Sequence, residues 1–576
     1  AADWLTIDGQ FSWDDDSDTF STLTPKGTLP SSPAGQTSQG NLFDFERSER
    51  LLTTTFRALF SYDFGELSTQ LVGRYVYEDR EIEQQGISGS DFLARDVPRF
   101  DNTNRDNLNT TAEFVATIRS EDIVGNLVLD YRDRYIIDAV LRQERVSLFG
   151  PDARDKAYWR VSGAWRATQD FSIPNIQELK FRGALGTSGS RPPFVAQYET
   201  FNVSSTGITK NVLGNRDIQP ANVTEYEVGI DASFLNRFFF EGTYSAADAD
   251  DQVLLVPLSG SAGFNSQYQN AASVETSTWE FSLGGQIIDK SDWGLDFGVV
   301  FDRTRQSVAS LNRNSFSDDV GGAIPLFRIE EGVDLGVMFG NKLASSVGDL
   351  LFDEDNCLVG ESGCLNPDDL TINDDGYVIE AGTEYTLDEE PFYIRDENGA
   401  AVTTKIGDSN PNFNMGLNTT LRYKNWRLFT TFDIEQGADV YNYTRQLLYF
   451  NDRHGDLDQT DRPEDQRRPG SYYAGPLYNQ ASASSHFVED ASFVKLREVS
   501  LSYRFTNEFV NRIGLGGAIH DARVSVLGRN LLTFTDYDGY DPEVSTESAD
   551  QPANYKLDDF GYPNFRSFSA SIQIRL

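Results

Sequence analysis

From Phe568 to the end of the chain, apolar and polar residues alternate without a break. Phe568, Ala570, Ile572, Ile574 and Leu576 hold one register, and Ser567, Ser569, Ser571, Gln573 and Arg575 the other. A period of two places the two sets on opposite faces of an extended strand. Such a strand has two homes. In a soluble sandwich the apolar face looks into a core; in an outer-membrane barrel it looks out at lipid, and the polar face lines a wet or plugged lumen. This stretch alone leaves both open.

The same unit recurs along the chain. In GELSTQLVGRYVYEDRE, Leu67, Thr69, Leu71, Gly73, Tyr75 and Tyr77 share a face. In FNMGLNTTLRY, Phe413, Met415, Leu417, Thr419, Leu421 and Tyr423 face one way, and Asn412, Asn414, Gly416, Asn418, Thr420 and Arg422 the other. About 17 such segments can be marked, each near the length that crosses a bilayer when tilted. Tight turns are expected near Arg132-Asp133, Asn236-Arg237, residues 289–292 and Lys424-Asn425. Long polar links are expected over roughly 190–223, 250–275, 310–410 and 443–490. Alternation of short and long connections is what a barrel with short periplasmic turns and long extracellular loops requires. A sandwich has no reason to gather its long loops at one end, and no blade repeat of propeller length appears. The fold class read from the pattern is therefore all-β, a transmembrane antiparallel β-barrel over residues 1–576, with 310–410 as a long extracellular loop region.

Composition agrees. Apolar residues are 39% of the 576, low for a globular domain, while aromatics are 12%, with 40 Phe and 25 Tyr. A barrel needs only one apolar face per strand and concentrates aromatics at its two interfaces. No run approaches the ~18 consecutive apolar residues of a transmembrane helix. The formal net charge of −40 argues against nucleic acid as a partner. The chain opens in mid-pattern at WLTIDGQFSW, on Ala1 rather than Met and with no signal peptide, so a mature or partial chain is expected.

Catalytic signatures are wanting: there is no G-x-S-x-G elbow, no H-E-x-x-H and no phosphate-cradling glycine loop. No catalytic, metal or cofactor-binding residue is assigned. Cys357 and Cys364, in DNCLVGESGCLN, are expected to close a small loop by a disulfide, two free thiols being the alternative. The three histidines, His454, His486 and His520, are far apart in sequence. NDDGY at 373–377 and DADDQ at 248–252 resemble fragments of a Ca²⁺ loop but lack its spacing, so turns are the preferred reading and a loop-bound Ca²⁺ the other. LYFNDRHGDLDQTDRPEDQRRPG reads as a solvated charged loop. Tyr472, Tyr473 and Tyr478 read as loop packing, with stacking on sugars as the alternative.

Several stretches resemble one family. LDYRDRYIIDAVLRQERVSLFGPDARDKAYWRVSGAWRATQD is similar to the mid-barrel segment of the SusC/RagA class of TonB-linked outer-membrane receptors, and LKFRGALGTSGSRP follows it, with Ser190 where the family usually has Asn. IQPANVTEYEVGIDASFLNRFFFEGTYSAADADDQVL and NAASVETSTWEFSLGGQIID resemble the next hairpin and strand. EDASFVKLREVSLSYRF and GRNLLTFTDYDGYDPEV carry the most specific likeness. The family usually ends on an aromatic; here the last residue is Leu576. The resemblance implies a barrel of about 22 strands with a plugged lumen, so the first strands and the plug are expected outside this sequence. It further implies active import of oligosaccharides or peptides, energised by the TonB-ExbB-ExbD complex through a missing N-terminal part. A SusD-like surface lipoprotein closes over the mouth, and outer-membrane lipid surrounds the wall. The ligand-binding residues stay unknown. A passive porin-like or structural barrel and a soluble secreted β-rich glycan-binding protein stand as alternatives.

Overall fold

The computed structural model describes residues 4–28, 38–151, 153–204, 207–318, 324–474, 477, 483–512, 514, 519, 521–543 and 555–575. Among them 17 strands form one large sheet. One is the two-residue Val212–Leu213. The others are numbered in chain order: β1 Leu5–Thr24, β2 Asn41–Phe64, β3 Leu67–Ser90, β4 Leu108–Tyr131, β5 Tyr135–Val146, β6 Asp155–Arg166, β7 Ile176–Ser190, β8 Ala221–Phe234, β9 Phe238–Pro257, β10 Ser266–Asp289, β11 Trp293–Leu311, β12 Phe413–Tyr423, β13 Trp426–Gln436, β14 Phe493–Phe505, β15 Asp521–Thr535 and β16 Ser567–Arg575.

The tight turns fall at 65–66, 132–134, 235–237, 290–292 and 424–425. Gly65, Arg132, Asp133, Leu235, Asn236 and Lys424 carry positive φ, the backbone that matches a hairpin turn to the twist of its strands. The largest links are 191–220, 312–412, 437–492 and 536–566. The expected link over 250–275 shrinks to 258–265, because the strands on both sides run on. DADDQ at 248–252 accordingly lies within β9 instead of in a turn.

Contacts divide the chain into two compact units, residues 1–171, 180–228 and 247–273 in one and 172–179, 229–246 and 274–576 in the other. In the first, β1 to β6 form one antiparallel ladder in unbroken chain order. One face of this ladder carries exposed apolar side chains, among them Ile7, Leu71, Ile123, Leu141 and Trp159. The other carries cross-strand ion pairs, such as Arg57–Asp8 at 2.9 Å and Arg142–Asp122 at 3.0 Å. Near the tight turns the apolar face closes on aromatics: Tyr62 and Phe64 lie 4.7 Å apart, and Trp165 stacks with Phe181 at 5.8 Å. This is the arrangement of an interfacial girdle.

The apolar face has a definite upper edge. Ile7, Ala58, Gly73, Gly125, Leu141 and Trp159 stand in one register across β1 to β6. Above this row the continuous outward apolar run ends at Trp13, Leu52, Tyr77 and Ile123 on β1 to β4 and at Leu141 itself on β5, where Asp15, Arg50, Asp79, Glu121 and Gln143 follow; single apolar residues such as Val115 recur beyond it. The edge steps down by three outward positions from β1 to β5. At ~6.6 Å per outward position and ~4.8 Å between strands, that is ~20 Å over ~19 Å, an inclination of about 45°. The tilt of barrel strands against a membrane is ~35–45°, so the staircase traces a level plane cut across tilted strands. Beyond it the outward face too carries charge, as at Arg50, Glu81, Arg119 and Arg145.

In the second unit β11 to β16 pair antiparallel in chain order. The same two faces recur, and Phe568 and Ile572 are 71% and 72% exposed. Trp293 meets Tyr423 at 4.3 Å and Trp426 meets Tyr503 at 4.7 Å beside the tight turn 424–425. The packed core lies elsewhere. Phe327, Met338, Leu343, Tyr441, Tyr449, Tyr472, Phe487 and Tyr555, all from the links 312–412, 437–492 and 536–566, bury one another in a loop body with its own hydrophobic interior.

Candidate functional site

The loop body is organised by two arginines, Arg468 buried and Arg445 half-buried. Arg468 donates from Nη1 to Asp375 at 2.7 Å and from Nε to Glu389 at 3.1 Å. Its guanidinium lies 4.6 Å from the Tyr472 ring centre. Asn373 donates to Glu389 at 3.0 Å and accepts the backbone N–H groups of Asp375 and Tyr377. NDDGY is thus a side-chain-closed turn pinned to Arg468. Burial, and then the Asp375 carboxylate, push the Tyr472 hydroxyl well above its usual range. The stretch expected to be plain solvated surface therefore contributes one side of a buried ion pair and the last residues, 448–450, of the helix Tyr443–Phe450.

Arg445, on that helix, reaches Glu489 at 3.2 Å and Tyr449 Oη at 3.1 Å. Tyr449 donates to Asp456, and its ring lies 4.6 Å from His454 and 5.9 Å from His486. Two histidines far apart in sequence thus meet on one tyrosine. His486 Nδ1 shares a 2.8 Å hydrogen bond with the Tyr377 hydroxyl. Burial, reinforced by Arg445, pushes the His486 imidazole down to about 4, and burial pushes Tyr377 up to about 12.

The two stretches of most specific family likeness bind each other. Lys495 and Arg497 of VKLRE meet Asp541 and Glu543 of GYDPE: Lys495 Nζ pairs with both carboxylates, and Arg497 Nη1 lies 2.7 Å from Glu543. Arg497 also reaches Asp433 at 2.7 Å. Burial opposes ionisation of Glu543, but Arg497 and Lys495 outweigh it and hold its carboxyl below the usual range. Lys556 from the same link pairs with Glu435. The latch ties link 536–566 to the polar face of β13 and β14. Beside it opens a pocket of about 380 Å³ lined by Asp302, Thr304, Gln306, Asn410, Asn414 and Glu435. In the first unit the polar face carries a second pocket, about 570 Å³, with a floor of small residues between Asp138, Arg160, Lys180, Arg182 and Glu227. The sequence marked Asn414 only as a polar-face residue and gave the other lining residues no role; for those on the wall, the one signal was a place on the polar register of an alternating strand.

Cys357 and Cys364 are joined by a disulfide, with Cα atoms 4.7 Å apart. Tyr472 and Tyr473 are buried inside the loop body, so neither offers a face for stacking on a sugar. Tyr478, His520 and Leu576 lie outside the described residues. Among the described residues, no three His, Cys, Asp or Glu side chains gather in a metal-holding arrangement, and the acidic turn at 373–377 spends its carboxylates on Arg468 and on the Tyr385 hydroxyl.

Strands with a lipid-length apolar band on one face, charge on the other, aromatic rims and a packed loop body define an outer-membrane transmembrane β-barrel. Comparison with known proteins agrees. Residues 2–333 match the family described as TonB dependent receptor-like, beta-barrel. The chain belongs to that family. It is 24% identical over 562 residues to TonB-dependent receptor P3 of Formosa agariphila, covering 92% of this chain and 53% of the relative. It is 21% identical over 476 residues to TonB-dependent receptor SusC of Bacteroides thetaiotaomicron, covering 73% and 41%. The chain thus spans about half the length of the curated relatives it matches. In fold it superposes on the RagAB peptide transporter with a TM-score of 0.74 at 19% identity, over 100% of this chain and 60% of that one.

Proposed function

We propose that this barrel serves active, TonB-dependent import of oligosaccharides or peptides across the outer membrane, with a SusD-like surface lipoprotein closing over its mouth. The observation that carries this reading is the loop body. A passive pore needs only an open mouth. Here three links are folded into a body with its own core, two arginine-centred hydrogen-bond nodes and a latch to the wall, which is the preorganisation expected of a surface that must hold a ligand and a partner in register. The polar pockets at the latch and on the wall offer carboxylates, amides and guanidinium groups to hydroxyl-rich or main-chain ligands. That a fold neighbour is a peptide transporter, and that one relative is SusC, supports the import reading without choosing the cargo.

The test is uptake of labelled oligosaccharide and peptide pools by cells carrying the whole protein, with and without TonB and with and without an uncoupler of the inner-membrane gradient. Import that stops in both cases is the expected result. Uptake indifferent to both, with steady conductance in planar bilayers, would establish the passive-porin reading instead.

A further inference from the structure

On the polar face of β13 to β15, toward the tight turn 424–425, lies a third pocket, about 320 Å³, lined by wall residues alone. Its floor is three serines, Ser500 and Ser502 of β14 and Ser525 of β15. Phe429 and Arg427 of β13 stand in register with Ser500 and Ser502, and Arg523 stands one polar-face position beyond Ser525. Among the described residues, neither Arg427 nor Arg523 has an ion-pair or hydrogen-bond partner. The arginines around them do. Arg504 reaches Asp521 at 2.8 Å, Arg529 reaches Glu498 at 3.3 Å, and Arg422 lies 3.8 Å from both Asp289 and Asp296. Glu498 brings a carboxylate to the lining, and Arg529 already engages it. Arg422 is the direct partner of Arg427 across β12 and β13, and Arg504 that of Arg523 across β14 and β15. A chain of net charge −40 thus keeps two uncommitted guanidinium groups over one serine floor.

We propose that this pocket binds an acidic oligosaccharide, a sugar chain bearing carboxylate or sulfate groups, on its way through the barrel; the proposal rests on the import reading above. Each part of the lining has a counterpart in such a ligand. A guanidinium presents a planar fork of N–H donors, the match for a pair of anionic oxygens. Serine hydroxyls both donate and accept, as sugar hydroxyls do. Phe429 offers an aromatic face to the C–H side of a pyranose ring. A peptide fits less well. An extended peptide is held through main-chain hydrogen bonds to a free strand edge, and β13, β14 and β15 are each paired on both sides. The position agrees as well. The links of the loop body leave β13 and β14 at their other ends. There Glu435 and Glu543 line the latch pocket, paired with Lys556, Lys495 and Arg497. An anion moving along this wall passes carboxylates near the latch and reaches uncommitted cations at the turn end, so the field of the wall draws it toward the periplasmic side.

The test measures equilibrium binding to the whole protein, purified in neutral detergent, by titration calorimetry. The probes are a uronic-acid trisaccharide, its neutral methyl ester, a sulfated trisaccharide, a triglutamate peptide and acetate. An acidic trisaccharide is expected to bind about tenfold tighter than the neutral ester, and the peptide and acetate no tighter than the ester. A margin for either acidic sugar supports the proposal, and which of them shows it names the anion. The margin should vanish in R427Q/R523Q and persist in R57Q, whose arginine lies on the polar face of β2 and is paired with Asp8. Binding in detergent needs no TonB, so the site can fail while import stands, and import can fail while the site stands. Equal binding of acid and ester, a margin undiminished in R427Q/R523Q, an equal loss in R57Q, or a triglutamate peptide or acetate bound as tightly as the acidic sugar would overturn the proposal. Neither substitution strands a counter-ion; if the double variant still gives no heat-shifted folded band, R427Q and R523Q singly are held to the same outcomes.

Discussion

The wall and the loop body are built from one chain in two solvents, and they follow opposite rules. On the wall, large apolar side chains such as Phe568 and Ile572 are left open by the protein, because acyl chains complete their surroundings. In the loop body the tyrosines are inside: Tyr441 and Tyr472 are 0% and 1% exposed. The two regions therefore hide their charges differently. The wall keeps its ion pairs on the polar face or beyond the lipid edge. The loop body takes Arg445 and Arg468 into its interior and must pair them there. A perturbation that breaks one region need not touch the other, and four tests separate them.

The largest effect is expected at Arg468. Replacing it with Met leaves the buried Glu389 carboxylate, with half-buried Asp375 beside it, without a cation, a change that costs ~3–5 kcal/mol. Limited proteolysis should then cut within 373–389 and 459–472 while the heat-shifted band of the folded barrel is retained. Loss of that band in R468M would show that the loop body and wall fold as one cooperative unit.

Next comes the wall. Leu71 sits near the middle of the lipid-facing run of β3, and its neighbour Gln70 points to the polar face. Leu71→Lys is expected to cost ~2–4 kcal/mol, the depth-dependent penalty of a cation on a lipid face, and Gln70→Lys a small fraction of that. Urea titration of the barrel in lipid vesicles measures both. Equal costs at 70 and 71 would mean that the faces are misassigned.

Acid should open the loop body first. The His486 imidazole lies near 4 in the folded state against an ordinary value of 6.5, because burial and Arg445 with His454 disfavour its charge more than Asp375 and Asp456 favour it. The unfolded loop thus takes the proton first. Above pH 6.5 both states are neutral and the contribution is complete; as pH falls from 6.5 toward 4 it is lost, by on the order of 3 kcal/mol in all. Asp456, held below the usual carboxylate range, adds nothing in that window. Hydrogen exchange of residues 437–492 between pH 7 and 4.5 should show the change, and His486→Phe should flatten it. A flat profile in the unmodified protein would place His486 in contact with water.

The same contrast explains what the sequence disclosed. Alternation marks a strand where one side meets lipid, so the runs at 67–77, 413–423 and 568–574 were legible, as were the hairpin turns at 132–133 and 424–425. It falls silent above the lipid edge, where both faces meet water. β3 was legible only as far as its charged stretch but runs on to Ser90, and DADDQ looked like a turn although it continues β9. The loop body has no period at all. Arg468 reads as one charge among many in DQRRPG, and its partners lie 79 and 93 residues away. The latch was half visible: both of its motifs stood out by family likeness, but nothing in them said that VKLRE and GYDPE are each other's counter-ions.

The smallest effect tests the wall at the level of one hydrogen bond. Thr419 and Thr430 are direct partners across β12 and β13, on the lipid-facing register, with their hydroxyls 2.6 Å apart. In lipid each hydroxyl has the other in place of water. Either Thr→Val change alone strands one hydroxyl and should cost ~1 kcal/mol, while the double change to Val removes both polar groups, keeps the shape and should come close to neutral. The coupling measured by a double-mutant cycle, the cost of the double change minus the two single costs, should then approach ~2 kcal/mol in size, the sum of the single costs. Independent, additive costs would instead place water between the two hydroxyls, and would lower the lipid edge on these strands to below Thr419.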